Sequence, residues 1–102
     1  MKKQDKQKTN RGYVFLYMSE HPLSKKNYVL EHRLVVEKFL GRYLKPEEVV
    51  HHINEIRDDN KIENLMLFKN NSEHLKFHTK IRQFGFTGPV RRQIENRWNN
   101  KI

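Results

Sequence analysis

Residues 49–78 read "VVHHINEIRDDNKIENLMLFKNNSEHLKFH", and they hold four of the six histidines in this chain of 102 residues. His51 and His52 are adjacent, whereas His74 and His78 are four positions apart. A segment rich in Asn and Asp separates the two pairs. This stretch decides the fold, because its apolar runs and its polar loop define the order of the elements.

The apolar runs in this stretch predict two short strands. Residues 49–53 and 62–68 are the apolar runs, and the polar residues 54–61 between them predict a loop. A helix is expected over residues 70–80, because three residues that favour the N-cap position begin this segment: Asn70, Asn71 and Ser72. The predicted order is strand, loop, strand and helix, with one pair of histidines on the first strand and the other on the helix.

The residues outside this stretch add a strand and two helices. Residues 12–18 are aromatic and β-branched, which predicts a strand. Apolar residues recur at helical spacing over residues 28–40, and Gly41 stands where a C-terminal glycine cap belongs. Two glycines and a proline in residues 79–89 predict a loop, and a short helix is expected over residues 90–99. The pattern predicts a small α+β domain.

The formal net charge of +9 is concentrated at the two ends of the chain. Residues 1–11 carry five Lys/Arg against one Asp, residues 12–78 carry ten against ten Asp/Glu, and residues 79–102 carry six against one Glu. We therefore expect a basic, disordered arm (1–11), a central domain (12–78) and a basic C-terminal extension (79–102).

Basic ends of this kind suit a polyanionic partner, because each phosphate that Lys or Arg neutralises releases condensed counterions. The Arg and aromatic residues of the extension favour nucleic acid, with solubilising tails, a membrane surface or an acidic protein as alternatives. No apolar run approaches the roughly 20 residues of a membrane span. The charged N-terminus is followed by no apolar signal region, so we expect a cytoplasmic protein, in a bacterial or phage-infected cell.

The residue types limit how this chain could bind a metal. There is no cysteine, so disulfides and thiolate zinc sites are excluded, and any ligands must be His, Asn, Asp or Glu. On a helix, His74 and His78 lie on one face, at the spacing by which two imidazoles hold one metal ion. Alone this is a weak signal, because surface histidines fall four apart by chance.

The adjacent pair poses a different problem, since neighbouring side chains of a regular strand point to opposite faces. If the strand ends at this point, His51 and His52 can both turn toward one cleft, where one could be a ligand and the other a base. The alternative is that one histidine caps a core and the other lies in solvent.

Residues 12–78 resemble the HNH endonuclease family, in the His-His form found in nucleases of phages and mobile elements. The motif of that family is a β-hairpin followed by a helix (ββα-metal, or His-Me finger), and it carries a first His, a central Asn and a last His. Here His52 matches the first, Asn64 in "ENL" the central Asn, and the helix histidines the last. The resemblance implies an α+β domain centred on this motif, with an upstream strand and helix.

The resemblance also implies an activity, the metal-dependent hydrolysis of phosphodiester bonds that nicks or cuts duplex DNA. His52 would be the general base, because a neutral imidazole near pH 7 can take a proton from water. Asn64 would accept a hydrogen bond from His52 and so fix its tautomer. The alternative for Asn64 is that it caps the turn before Leu65.

A divalent metal ion is implied as the cofactor, bound by His51 together with His74 and His78. Of the two helix histidines, His74 ranks first as a ligand. Ligation by imidazole alone suits zinc, nickel, cobalt or manganese better than magnesium, which prefers oxygen ligands.

One departure from the family pattern is Glu55, which stands where many relatives have Gly. A Gly there would serve a turn with positive φ, and we expect Asn54 to adopt that conformation instead. The run Asp58, Asp59 and Asn60 is expected to stabilise the loop by local hydrogen bonds rather than to bind metal.

Several cations are candidates for contacts with the DNA backbone, although solvated helix charges are the usual role of such residues. They lie on the predicted upstream helix and in the C-terminal extension: Arg33, Arg42, Arg82, Arg91, Arg92 and Arg97. His32 is expected to be structural or to contact the DNA backbone.

Two other functions remain as alternatives. The same histidines could hold a structural zinc in a non-catalytic DNA-binding module, or a basic RNA-binding protein could carry them by coincidence. The sequence leaves open whether the chain works alone, as a dimer, or beside a phage packaging or recombination machine.

Overall fold

The computed structural model describes residues 6–99, so predictions for residues 1–5 and 100–102 lie outside the described part. The first helix is α1 (Glu31–Leu40), and three strands precede it: β1 (Lys6–Lys8), β2 (Val14–Tyr17) and β3 (Tyr28–Leu30). A hairpin and two helices follow: β4 (Val49–His52), a 3-10 turn (Ile62–Asn64), β5 (Leu65–Phe68), α2 (Asn71–Phe84) and α3 (Gly88–Glu95). The α+β class predicted from the sequence is confirmed.

The N-terminal sheet contains a strand in the arm that was expected to be disordered. Strand β1 pairs antiparallel with β2, with Lys6 opposite Leu16. The prediction of disorder is therefore wrong for residues 6–8. All three β1 residues are exposed, and an edge strand is held by backbone hydrogen bonds to its neighbour, so no apolar pattern marks it in the sequence.

The predicted helix over residues 28–40 begins later than expected. Residues 28–30 form β3, which pairs with β2, and α1 starts at Glu31. The ring of Tyr28 meets the rings of Phe15 and Tyr17 edge-on, at centroid distances of 4.9 and 5.6 Å. These cross-strand aromatic contacts favour the sheet over an additional helical turn. The end of α1 is as predicted, because Gly41 adopts a φ of 76° and caps the helix.

The hairpin of β4 and β5 is the centre of the fold, with His51 opposite Met66 and His52 opposite Leu65. One face of the hairpin packs against α1 through Val36, Leu44, Val50 and Leu65. The other face packs against α2 and α3 through Met66, Phe68, Phe77 and Val90. Alternate residues of each strand therefore enter different cores, as the pleat of a β-strand requires.

Helix α2 begins as the sequence predicted and extends further. Asn70 is its N-cap, and its side chain accepts a hydrogen bond of 3.0 Å from the Glu73 backbone N–H. The helix continues to Phe84, so only residues 85–87 separate it from α3. Val90 of α3 is fully buried and belongs to the same core cluster as Phe77 of α2. This contact explains why residues of the predicted C-terminal extension form a helical hairpin with α2 and pack on the domain.

The loop between the strands of the hairpin contains a left-handed residue at an unexpected place. Glu55 has a φ of 62°, and Asn54 is absent from the described residues with positive φ, so the expectation for Asn54 is wrong. The side-chain oxygen of Asn54 accepts a hydrogen bond from the Ile56 N–H at 2.9 Å, and the backbone N–H of Asn54 donates to the side-chain oxygen of Asn64. With Asn54 held by these two bonds, the positive φ of the loop lies at Glu55 instead.

Replacing Glu55 with Gly should stabilise the protein by up to about 1 kcal/mol, because Gly adopts positive φ without the steric cost of a Cβ. The free energy of unfolding is measured by urea denaturation. The matched control is Glu55→Ala, which removes the same charge but retains the Cβ and should give no such gain. An equal gain in both variants would mean that the charge, not the backbone, is the cause.

Candidate metal centre and the adjacent histidines

Three histidines meet on the α2 side of the hairpin. His51 comes from β4, and His74 and His78 come from one face of α2. Their ligand nitrogens all lie within 4.8 Å of one another. Nε2 of His74 is at the centre of the group, 3.0 Å from Nδ1 of His51 and 3.0 Å from Nε2 of His78. The structure therefore brings together the three residues that the sequence named as metal ligands.

The group fits a divalent metal in its geometry, and the pKa values of His51 and His74 favour metal binding as well. Nitrogens that share a metal at about 2.0–2.1 Å lie roughly 3.0–3.5 Å apart, which agrees with the two distances of 3.0 Å from Nε2 of His74. Burial, reinforced by the neighbouring His74, His78 and His52, lowers the pKa of His51 to about 4. Burial and His78 also lower the pKa of His74. With a pKa of about 4, His51 is neutral at pH 7, and the lowered pKa of His74 favours its neutral form, so both can offer a lone pair to a metal.

One feature of the group departs from a complete metal site. Nε2 of His51 is buried and has no hydrogen-bond partner in the described chain. Metal-bound histidines usually donate the other ring N–H to a carboxylate, a carbonyl or water. The aromatic rings of Phe68 and Phe77 surround the imidazole of His51 instead, at centroid distances of 6.2 and 5.6 Å.

His52 lies on the opposite face of the hairpin from His51. Its Nε2 is 2.6 Å from Oδ1 of Asn60, and its ring contacts the rings of His32 and Tyr13 at centroid distances of 4.9 and 6.1 Å. The expectation that both histidines turn toward one cleft is wrong, because both remain paired in β4. The alternative with one histidine in solvent is also wrong, since each is only 6% exposed.

The hydrogen bond predicted between Asn64 and His52 does not form. The Asn64 side chain accepts from the N–H of Asn54 at 2.9 Å and donates to the carbonyl of Asp59 at 2.9 Å. Asn64 therefore closes the loop across its two ends, which is nearer to the turn-stabilising alternative. The side chain that is hydrogen-bonded to His52 is that of Asn60, for which the sequence predicted only a role in stabilising the loop.

The acidic residues of this loop also have partners. Oδ2 of Asp59 accepts a hydrogen bond from the Asn54 side chain at 2.8 Å, which agrees with the expected local role. Asp58 instead pairs with Lys8 of β1 at 2.9 Å, so the N-terminal sheet holds the loop from outside. Neither belongs to the histidine cluster, which among residues 6–99 is the only group of three or more His, Asp or Glu side chains close enough to share a metal ion.

His32 packs beside His52 and is itself 6% exposed. Its Nδ1 is buried without a hydrogen-bond partner in the described chain, and its ring contacts those of Tyr13 and His52 at centroid distances of 5.5 and 4.9 Å. Burial, together with the nearby His52 and Arg33, lowers its pKa to about 4, although Glu31 opposes the shift. This burial agrees with the structural role predicted for His32 rather than with a contact to DNA.

Three of the arginines named as DNA contacts are bonded within the protein. Arg33 donates to the carbonyls of Glu48 and Lys45 at 2.6 and 2.9 Å. Arg42 forms two hydrogen bonds of 2.9 Å to the carboxylate of Glu48. Arg97 donates to three backbone carbonyls, those of Leu65, Glu63 and Ile94. Their guanidinium groups hold the fold together.

The other three candidates remain on the surface. Arg82 lies on α2, and Arg91 and Arg92 lie on α3. All three are exposed, and Arg91 also forms an ion pair with Glu95 at 3.3 Å. No helix among the described residues is long and apolar enough to cross a membrane.

A comparison with known families matches part of the chain. Residues 29–75 match the family model described as HNH endonuclease. The matched segment includes α1, the hairpin and the start of α2, and it ends before His78. No curated protein and no solved structure matched the chain.

Each single alanine substitution of His51, His74 or His78 should weaken zinc binding by about 10²-fold or more, because even groups outside the ligand set usually contribute 10–100-fold. Affinity is measured by competition with a chromogenic chelator. His52→Ala is the matched control and should bind zinc like the original protein. An undiminished affinity in His78→Ala would reduce the ligand set to two histidines.

The metal-free protein should lose stability as the pH falls from about 6.5 to about 4. In that interval the unfolded chain protonates His32 while the folded protein, with a pKa of about 4 against 6.5, resists protonation. The loss is up to about 3 kcal/mol for such a histidine. Urea denaturation at several pH values, with chelator present, measures it.

His32→Phe should make this pH dependence smaller, because phenylalanine does not titrate, while the contribution of His51 remains. An unchanged pH profile in His32→Phe would show that His32 is protonated equally in the folded and unfolded states.

Proposed function

Residues 29–75 belong to the HNH endonuclease family, and from this premise we propose that the chain is a metal-dependent endonuclease that hydrolyses phosphodiester bonds in DNA. The observation that carries the proposal is the division of the adjacent histidines between two sites. His51 forms a cluster with His74 and His78, whereas His52 is buried away from this cluster and is hydrogen-bonded to Asn60. Because β4 ends at His52, both sites lie near the same end of this strand, and the proposed position of the scissile phosphate is over that end.

His52 would act as the general base through Nδ1. Its Nε2 is bonded to Asn60, and Nδ1 makes no hydrogen bond within residues 6–99. The fully buried side-chain nitrogens without a partner there are on His32 and His51, so Nδ1 of His52 keeps some contact with solvent although the residue is only 6% exposed. Nδ1 accepts a proton from the attacking water as its oxygen bonds to phosphorus. The bond to the leaving 3′ oxygen breaks, and that oxygen takes a proton from solvent.

His51, His74 and His78 would hold the divalent metal. When bound, the ion supplies a positive charge that polarises the phosphate and stabilises the leaving oxygen. Three imidazole ligands favour zinc, nickel, cobalt or manganese over magnesium. The hairpin and α2 would present these three nitrogens already gathered, which lowers the cost of organising the site.

DNA is the proposed partner, and the exposed cations of the C-terminal helices would contact its backbone. Arg82, Arg91 and Arg92 are the candidates that remain available for this role. Contacts of this kind position a protein on the duplex without reading its sequence. A cytoplasmic location and a phage packaging or recombination partner remain predictions.

A structural metal site explains less of the geometry than a nuclease does. It would account for His51, His74 and His78, but not for a separate buried histidine that is hydrogen-bonded at one ring nitrogen and open at the other. A purely structural role also predicts that the domain unfolds when the metal is removed.

His52→Ala should lower the rate of plasmid nicking by about 10²–10⁴-fold, the usual contribution of a general base. The assay follows conversion of supercoiled to open-circular DNA with manganese, nickel, cobalt, zinc or magnesium, and with chelator. Zinc affinity and affinity for DNA should be unchanged in this variant.

His51→Ala is the companion variant, and it should lose nicking together with metal affinity. Cutting that persists in His52→Ala would remove His52 as the base. DNA binding without cutting under every metal, with unfolding by chelator, would support the structural-zinc module instead.

A further inference from the structure

We propose that Glu31 is a positioning residue for His52 and acts through Asn60. This inference rests on the proposed function of His52 as the base. Nothing in the spacing of the motif points to Glu31, which is the first residue of α1 and lies 29 positions before Asn60 in the chain.

The three side chains form a continuous series of hydrogen bonds. Nε2 of His52 is 2.6 Å from Oδ1 of Asn60, and Nδ2 of Asn60 donates to Oε1 of Glu31 at 2.8 Å. The other carboxylate oxygen of Glu31 pairs with the ammonium of Lys6 at 3.0 Å. Strand β1, helix α1 and the hairpin loop thus each contribute one member to a series that ends on His52.

The carboxylate of Glu31 determines the direction of every bond in this series. An ionised carboxylate only accepts hydrogen bonds, so Asn60 must turn its NH₂ toward Glu31. The amide oxygen of Asn60 then faces His52 and can only accept, so the proton of the imidazole must be on Nε2. The lone pair is left on Nδ1, the nitrogen that reaches solvent. A carboxylate two residues away in the series thereby selects the reactive tautomer.

Glu31 keeps its charge despite partial burial. Burial by itself raises the pKa of its carboxyl, but hydrogen bonds from Asn60 and Lys6 and the positive charge of Lys6 lower it below the ordinary value. The side chain is 18% exposed, against 61% for Lys6. An anion in this position polarises the amide of Asn60 and strengthens its hold on His52.

Glu31→Gln tests the inference with almost no change of shape. The ammonium of Lys6 only donates, so it should attract the single amide oxygen and turn the new NH₂ toward Asn60. Asn60 would then present its oxygen to position 31 and its NH₂ to His52, which places the imidazole proton on Nδ1. The matched control is Glu47→Gln, which removes one charge from an exposed glutamate.

Two readouts are expected to change together. Nitrogen-15 NMR of histidine-labelled protein should show His52 protonated on Nε2 in the original chain and in Glu47→Gln, and on Nδ1 in Glu31→Gln. The kcat for plasmid nicking should fall by about 10²-fold or more in Glu31→Gln, because the base is in the wrong tautomer. The KM for DNA and the zinc affinity should stay unchanged.

A second substitution tests the direction of the bonds. Adding Lys6→Met to Glu31→Gln removes the ammonium that holds the amide oxygen, so the amide can turn that oxygen to Asn60. Part of the Nε2-protonated form and part of the kcat should return.

An unchanged tautomer in Glu31→Gln would overturn the inference, whether or not the kcat falls. A changed tautomer with an unchanged kcat would also overturn it. If the original chain cuts no DNA with any metal, the proposed function fails, but the NMR comparison still decides whether Glu31 sets the tautomer of His52.

Discussion

The alternation of side chains along β4 is the constraint on which the site depends. His51 and His52 are adjacent, so the pleat sends one to each face of the hairpin, and neither can move without breaking its pairing with Met66 or Leu65. Helix α2 supplies two more histidines on the first face, and α1 with the hairpin loop surrounds His52 on the second. The separation keeps His52, the proposed base, apart from the three proposed metal ligands, while both sites stay near the same end of β4.

The remaining polar residues show how a chain with 35% hydrophobic residues holds such a site in place. Two small clusters form the core, and charged side chains also hold segments together through hydrogen bonds to backbone groups. Arg33 and Arg97 donate to carbonyls far away in sequence, and Glu48 accepts from both Arg42 and the Lys45 N–H. In a small domain, where little apolar surface can be buried, such contacts fix loops that a larger core would otherwise hold. Charge by itself was therefore a poor guide to which arginines meet DNA.

The elements with strong local signals were predicted well. The start of α2 followed from good N-cap residues, and the end of α1 from Gly41, because each depends on a few adjacent residues. The hairpin and the group of His51, His74 and His78 followed from strand and helix spacing together with the family resemblance. Strand β1 was missed because backbone pairing at a sheet edge requires no apolar pattern. The partner of His52 was assigned to Asn64 rather than Asn60, since both asparagines lie in a loop whose path the spacing does not define.

The sequence by itself determined the fold class and the hairpin and helix at its centre, because strand and helix periodicity act over a few residues. The grouping of His51 with His74 and His78 was expected only from the resemblance to the HNH endonuclease family. Only the tertiary structure decided that β4 stays paired through His52, which sends His51 and His52 to opposite faces. It also decided that Asn60, itself bonded to Glu31, contacts His52, and that Glu55 adopts positive φ. Each of these depends on contacts between segments distant in the chain, or on competition among several asparagines for the same donors. Local propensity predicts neither the long-range contacts nor the outcome of this competition, because the direction of a hydrogen bond depends on all the partners present in the folded protein.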